Sequence, residues 1–404
     1  MILDYFALAF NNLRRRGIRS WLTMLGIFIG IAAVVSLMSL GQGLENAIQE
    51  QFENLGSDRI IIDESGVQGP PGSGTSQQTK LTSKDVEVIK KVNGVAGVAG
   101  IIIKTAQIEN DDELAFIFVF GLSQNKEEKE IVSFFDVEQG RDLKENDNGK
   151  VIVGIRYTES KIFEKPLNIG DKINIEGESF EIVGILERIG NPFDDSAIIM
   201  PKEEMKKLYE IDDEESAIHV KVEDVDEIDI VKENIERALR KSRNEKENKE
   251  TFHAHTSEEI LATFSNIFGI VQAVLVGIAA ISLLVGAIGI ANTMYTSVLE
   301  RTKEIGIMKA IGAKNSDIFY IFLIESGMLG FLGGVIGVVI GIGLSKLAEY
   351  YAAAQLGTNL LQASTSPVLI AGALLFSFLM GSLSGVLPAM QASRLKPVDA
   401  LRYE

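Results

Sequence analysis

The sequence predicts an α-helical membrane protein: four transmembrane helices plus an extracellular or periplasmic α+β core domain that carries a small β subdomain. Three observations lead there. The 404 residues are 46% hydrophobic yet carry a formal net charge of −17, so apolar and acidic character must lie in different places. Charged residues are absent from Ser20 to Leu44, from Ile260 to Leu299 and from Tyr350 to Ser393, and between Ile318 and Lys346 only Glu325 breaks the run. Each run can cross a hydrocarbon core, which needs about 20 apolar residues. Finally, strand-like and helix-like periodicities fill the single long interval between the first and second runs.

The spans are expected near Trp21–Leu40, Gly269–Tyr295, Tyr320–Ile342 and Pro367–Leu387. Basic residues set their orientation. Arg14, Arg15, Arg16 and Arg19 precede the first span, Arg301, Lys303, Lys309 and Lys314 lie between the second and third, and Arg394, Lys396 and Arg402 follow the fourth. The short loop after the third span holds Lys346 alone. Lys and Arg accumulate on the cytoplasmic side, so both termini and the loop 300–317 are expected there, in the cell membrane. The first span reads as an uncleaved signal-anchor, because Asp4 and the arginine cluster precede a full-length hydrophobic run.

The domains expected are 1–43, cytoplasmic N-terminus and first span; 44–262, the extracellular core; 263–299, a stalk and second span; 300–317, a cytoplasmic segment; 318–346, the third span; 347–366, an outer loop; 367–388, the fourth span; and 389–404, a cytoplasmic tail. Twelve of the 39 basic and eight of the 56 acidic residues lie outside 44–262, which leaves that interval a balance of −21. Such a surface disfavours nucleic acid and suits solubility or cationic ligands. With no cysteine, neither disulfides nor thiolate metal sites are possible.

Two spans are longer than a bilayer requires. Ile260–Leu299 as one helix would measure about 60 Å against a core of about 30 Å. Leu44, Ile48 and Phe52 extend the first span at i+4 spacing. Together they predict a helical stalk. Inside the core domain, a strand at Arg59–Ile62 leads into the low-complexity tract Gly66–Ser76, too poor in apolar side chains to pack. A helix follows at Ser83–Val92, capped by Thr82, with Val86, Ile89 and Val92 as its stripe, then strands at Val98–Ile108 and Leu114–Gly121. The pattern returns with a strand at Ala217–Val222, a helix at Ile228–Leu239 and a strand at Thr251–His255. Strand-helix-strand thus occurs twice, in an α+β module split into 44–129 and 201–262 by a β subdomain at 130–200. There, Asn168–Asp171 and Glu176–Glu178 are turns flanking strands Lys172–Ile175 and Phe180–Ile185.

No residues fit an enzyme. No phosphate loop of the G-x-x-x-x-G-K-[ST] type is present, so nucleotide chemistry is expected on another polypeptide. His253 and His255 share one face of a strand, but His219 lies on another and no cysteine completes a metal site. Asp194 and Asp195 are adjacent on a turn with no acid-base partner in view. Glu325 is the one ionisable residue inside a span, and it can pair with a basic residue of the 300–317 loop. In the third span, Gly330 with Gly334 and Gly337 with Gly341 allow close helix approach, within the chain or between two copies. None of the spans carries a polar stripe that could line a wide pore.

The segment Glu300–Gly312 sits between two spans and reads as an amphipathic helix. Glu300 pairs with Lys303 and Arg301 with Glu304 at i+3, Ile305, Met308 and Ile311 form an apolar line, Gly312 closes the helix and Ser316 caps the next. Either lipid or a soluble partner must cover its apolar side. Together with Ala313, this segment resembles the E-R-T-x-E-I-G-I-x-x-A-x-G-A signature of MacB-type, FtsX-like permeases of ABC transporters. Arg19–Ile27 resembles the first-span entry of that family, and Pro388-Ala389 with Ala392–Arg402 its C-terminal end. The resemblance implies a homodimeric permease, itself without catalytic residues or cofactor, that binds a separate P-loop ABC ATPase holding the ATP. It also implies that long helices carry the ATPase's closure outward to the external domain, a mode called mechanotransmission. Ile305, Met308 and Ile311 would then be the ATPase contact, with Arg301, Lys303, Glu304 and Lys309 as its rim and Gly312 as its end. An FtsX-like scaffold that regulates an extracellular partner is the alternative.

Overall fold

The computed structural model describes residues 18–64, 80–132, 135–356 and 360–402, with nothing said of the side chains at 18–24, 51–55, 355–356, 399 and 401–402. The Arg14–Arg16 cluster and the Gly66–Ser76 tract fall outside these residues. The chain divides into two units. One comprises residues up to Asn46, Asn266–Ala353 and those from Leu361 on; the other comprises Ala47–Ser265 with Ala354–Leu360.

The first unit is helical. Helices α1 (Ile18–Leu55), α6 (Ser257–Glu300), α8 (Asn315–Tyr351) and α9 (Pro367–Arg394) are long and apolar enough to cross a membrane. At 1.5 Å per residue the 44-residue α6 is about 66 Å long, more than twice a hydrocarbon core. Its Ile270, Val274, Ile278, Ile281 and Ile288 are exposed, as are Leu375, Leu379, Leu383 and Leu387 of α9, an apolar surface that suits lipid and not water.

Inward, the helices meet at glycines. A Cβ on Gly330 of α8 would lie 2.3 Å from the Ser377 carbonyl oxygen and 2.8 Å from Cα of Gly381 on α9. One on Gly337 would lie 2.8 Å from the Phe28 carbonyl oxygen of α1. Gly330 and Gly337 therefore serve contacts within the chain, where only a missing side chain lets backbones approach this closely. After α8, the segment leading to α9 crosses α1 in the same manner. Ser364 N–H donates to the Ser39 carbonyl at 3.0 Å, and a Cβ on Gly43 would fall 1.4 Å from the Gln362 carbonyl oxygen.

The second unit is α+β. Among the described residues its ten strands are β1 (Arg59–Glu64), β2 (Val95–Asn110), β3 (Glu113–Leu122), β4 (Val137–Gly140), β5 (Lys150–Val153), β6 (Lys172–Ile175), β7 (Glu178–Leu186), β8 (Ile198–Pro201), β9 (Ala217–Val222) and β10 (Phe252–Thr256). They run in the order β10-β1-β9-β2-β3-β8-β5-β7-β4, with β6 pairing β2 and β7. Helices α2 (Ser83–Ile89) and α5 (Ile228–Arg243) cover β10-β1-β9-β2 through Ile89, Val231, Ile235 and Leu239, which pack with Ile60, Ile62, Ile218 and Val220. Asp85 accepts the Thr82 N–H at 2.9 Å, fixing the start of α2. Two short helices, α3 (Lys126–Ile131) and α4 (Lys202–Leu208), complete this unit.

Strand pairing divides the unit differently from the expected boundary at 130. Residues Val95–Ile101 of β2 pair with β9, while Ile102–Asn110 pair with β3, and β3 pairs in parallel with β8. The β subdomain thus takes in the second half of β2 and all of β3, both expected in the strand-helix-strand module. Its core joins Ile102, Ile108 and Val119 to Val151, Phe180, Ile182 and Ile198. The Glu176-Gly177 turn between β6 and β7 has φ of 50° and 85°, a two-residue hairpin loop of the kind that matches strand twist.

Candidate functional site

The segment between the second and third spans is the one that the sequence singles out. Helix α6 ends at Glu300, Arg301 departs from helical geometry at φ −108°, ψ 16°, and α7 runs Thr302–Ala310. Gly312, at φ +107°, ends α7: its N–H donates to the Lys309 carbonyl and the Ala313 N–H to the Met308 carbonyl, the paired bonds of a Schellman motif. The next helix starts one residue before Ser316. Lys314 is its N-cap, and Asp317 Oδ2 accepts the Lys314 N–H at 2.9 Å, so the expected Ser316 cap is replaced.

Arg301 bonds in two directions. Its Nε donates to Glu304 Oε2 at 2.9 Å and its Nη1 to Glu325 Oε2 at 3.2 Å, while the guanidinium lies 5.7 Å from the Phe322 ring centre. Glu325 is fully buried, and this pairing ties α7 to α8. Lys309 also turns inward. Its Nζ donates to Asn315 Oδ1 at 2.8 Å and to the Ser393 and Leu395 carbonyls at 2.6 and 2.7 Å. Burial pushes its ammonium below the usual lysine range. A last helix, α10 (Pro397–Arg402), packs against α7 and buries Ala400.

The expected apolar line divides accordingly. Ile305 is buried and Met308 half-buried against the protein's own helices, whereas Ile311 is 82% exposed. The reason is angular. Six residues separate Ile305 from Ile311, which turns the second about 120° from the first, while Ile307 lies about 40° from Ile311. The outward face comprises Lys303, Glu304, Ile307, Ala310 and Ile311, and Gly312 is exposed at its end. Of the expected rim, Lys303 and Glu304 lie on this face, and Arg301 and Lys309 serve internal contacts. The expected apolar line leaves out Ile307, which shares the outward face with Ile311 at i+4 spacing.

The other candidates are structural. Asp195 is buried and accepts the Ile189 and Gly190 N–H groups, and Asp194, bonded by Asn191 Nδ2 at 2.9 Å, is pushed up to about 6 by burial and by Asp195 beside it. Both hold the loop before β8. His253 and His255 have ring centres 5.8 Å apart, and His219 is lowered to about 4 by burial and by Arg59. Among the described residues no three His, Cys, Asp or Glu side chains converge as metal ligands.

Comparison with known proteins gives a consistent picture. Residues 20–238 match the MacB-like periplasmic core domain and residues 276–397 the FtsX-like permease C-terminal domain. The chain is 39% identical over 402 residues to an uncharacterised ABC transporter permease of Methanocaldococcus jannaschii, covering 99% of this chain and 98% of that one. It is 30% identical to the uncharacterised ABC transporter permease YknZ of Bacillus subtilis over the full length of both. It is 31% identical to the macrolide export ATP-binding/permease protein MacB of Bdellovibrio bacteriovorus, covering 62% of that longer protein. Among solved structures, the extracellular domain of a YknZ from Gram-positive bacteria is similar with TM-score 0.39 and 20% identity over 49% of this chain and all of that one. The periplasmic region of MacB from Actinobacillus actinomycetemcomitans is similar with TM-score 0.42 and 16% identity, over 54% of this chain and 98% of that one. Four apolar helices, both matched domains and full-length similarity to these permeases make this multi-pass membrane protein a member of the MacB-type, FtsX-like family of ABC transporter permeases.

Proposed function

We propose that the chain is the transmembrane subunit of an ABC transporter whose ATP-hydrolysing subunit is a separate polypeptide docking on the outward face of α7. The observation that carries this reading is the pair Ile307 and Ile311, 49% and 82% exposed on a helix held between two spans and bordered by Lys303 and Glu304. In this reading α7 and both termini are cytoplasmic, as the distribution of Lys and Arg suggests. Two copies of the chain form the permease, and ATP-driven closure of the ATPase moves the α+β unit on the far side through α1 and α6, driving efflux or extraction of a substrate.

A second reading keeps the same docking but makes the α+β unit a scaffold for an extracellular protein. Leu114, Phe116 and Phe193 favour it, because they leave an exposed apolar patch on that unit. The two readings differ in whether reconstituted vesicles transport anything.

The docking is tested by Ile307→Asp combined with Ile311→Asp. Burial of one isoleucine contributes about 1.5–3 kcal/mol, so the double variant is expected to weaken co-purification of the partner ATPase by at least about a hundredfold. Full retention of ATPase binding and stimulation in a membrane-inserted double variant would falsify the reading.

A further inference from the structure

Helix α7 is joined by chain to α6 and α8, but only non-covalent contacts join it to α9. Among them, the Lys309 ammonium reaches carbonyls 84 and 86 positions further along the chain. The last four carbonyls of a helix have no partner within it, and a cation there also meets the negative end of the helix dipole. Lys309 meets both needs at α9: two of its three donors go to Ser393 and Leu395, and the third goes to Asn315 at the start of α8. The basic residue of α9's own last turn, Arg394, is exposed. At the other end of α7, Arg301 holds the buried Glu325 of α8. Helices α8 and α9 in turn meet at backbone distance through Gly330 and Gly381.

We infer that Lys309 is a positioning residue that locks α7 to the cytoplasmic end of the fourth span, so that any displacement of α7 carries α8 and α9 with it as one body. This rests on the reading that an ATPase docks on α7. The lock also explains why a nine-residue helix, too short to hold its shape alone, can bear a push from a partner.

The test uses the full-length protein in lipid nanodiscs. The chain has no cysteine, so spin labels on Ala310→Cys in α7 and Gln391→Cys in α9, both exposed positions, are the only labels present. With Lys309 intact, the intra-chain distance between them, read without ATPase because Ala310 lies on the docking face and with labelled chain diluted into unlabelled chain, is expected to be a single narrow distribution. Lys309→Met, which removes all three donors, should broaden it. With ATPase binding unchanged, kcat for permease-stimulated ATP hydrolysis should fall about tenfold, the scale of a coupling carried by one discrete contact. Lys309→Arg, which can still donate to two carbonyls, should restore both.

A Lys309→Met distribution superimposable on that of the parent without ATPase would overturn the lock. If Lys309→Met does not accumulate, Lys309→Gln gives the same readout on a shorter arm. ATPase binding that survives the Ile307→Asp, Ile311→Asp double variant would overturn the docking reading instead, and the label distances without ATPase still decide the lock.

Discussion

Removing either partner of the Arg301–Glu325 pair should destabilise the helical unit far more than removing both. At 3.2 Å and an effective dielectric of about 20, the Coulomb attraction is about 5 kcal/mol before desolvation is charged against it. Breaking a buried pair from one side typically costs about 3–5 kcal/mol, because the remaining charge has no counter-ion. Glu325 is fully buried while the Arg301 side chain keeps 22% of its exposure, so the two singles should differ. Arg301→Met takes the guanidinium away from a fully buried carboxylate and should lie at the top of that range. Glu325→Gln leaves a guanidinium that can still reach Glu304 and should cost about half as much. The double variant should recover at least about 2 kcal/mol relative to the sum of the singles. Ser326→Cys places a lone buried thiol next to Glu325, and its rate of modification as denaturant rises reports opening of α8. Additive effects, with each single below about 0.5 kcal/mol, would refute the claim that this pair holds α7 to α8.

Three further outcomes follow from the same structure. Gly43→Ala puts a methyl group against the Gln362 carbonyl, which should cost about 1–3 kcal/mol or shift the loop, and the loop shift is measurable as faster labelling of Ala363→Cys. Glu215→Ala leaves the largely buried Lys202 ammonium with only the Gly100 carbonyl, and should loosen β2 and β9 by about 3 kcal/mol in amide hydrogen exchange, with Glu215→Gln less severe. His219 stays neutral in the fold down to about pH 4. The unfolded chain takes up the proton near 6.5, so stability is full above 6.5 and is lost as pH falls towards 4. Exchange of β1 and β9 amides between pH 7 and 5 should show that loss, and a His219→Gln variant with an unchanged pH slope would contradict it.

The spans were legible because lipid forbids charge, and uncharged runs are visible letter by letter. The same holds for α5, whose stripe Val231, Ile235 and Leu239 has one period and one buried face. Strands β5 and β8 were not located, since apolar runs as short as Val151–Val153 or Ile198–Pro201 carry no period that separates strand from helix. The dual pairing of β2 leaves no mark in sequence beyond its 16-residue length. In the segment 300–312 the helix was legible but the directions of its side chains were not. An i+3 series drifts around a helix, and the acceptors of Lys309 are backbone carbonyls of a distant helix end, which side-chain identity cannot announce.

The double use of β2 has a practical consequence for dissecting this protein. A fragment cut at the sequence boundaries of the insertion, near 130 and 200, would lose Ile102–Asn110 and β3. It would leave β8 without the neighbour that covers one side of it, and β6 bonded only to β7. Unsatisfied strand edges recruit other chains, so such a fragment is expected to aggregate. A soluble piece suited to ligand screening has to begin before Arg59 and end after Thr256, keeping the ten strands together.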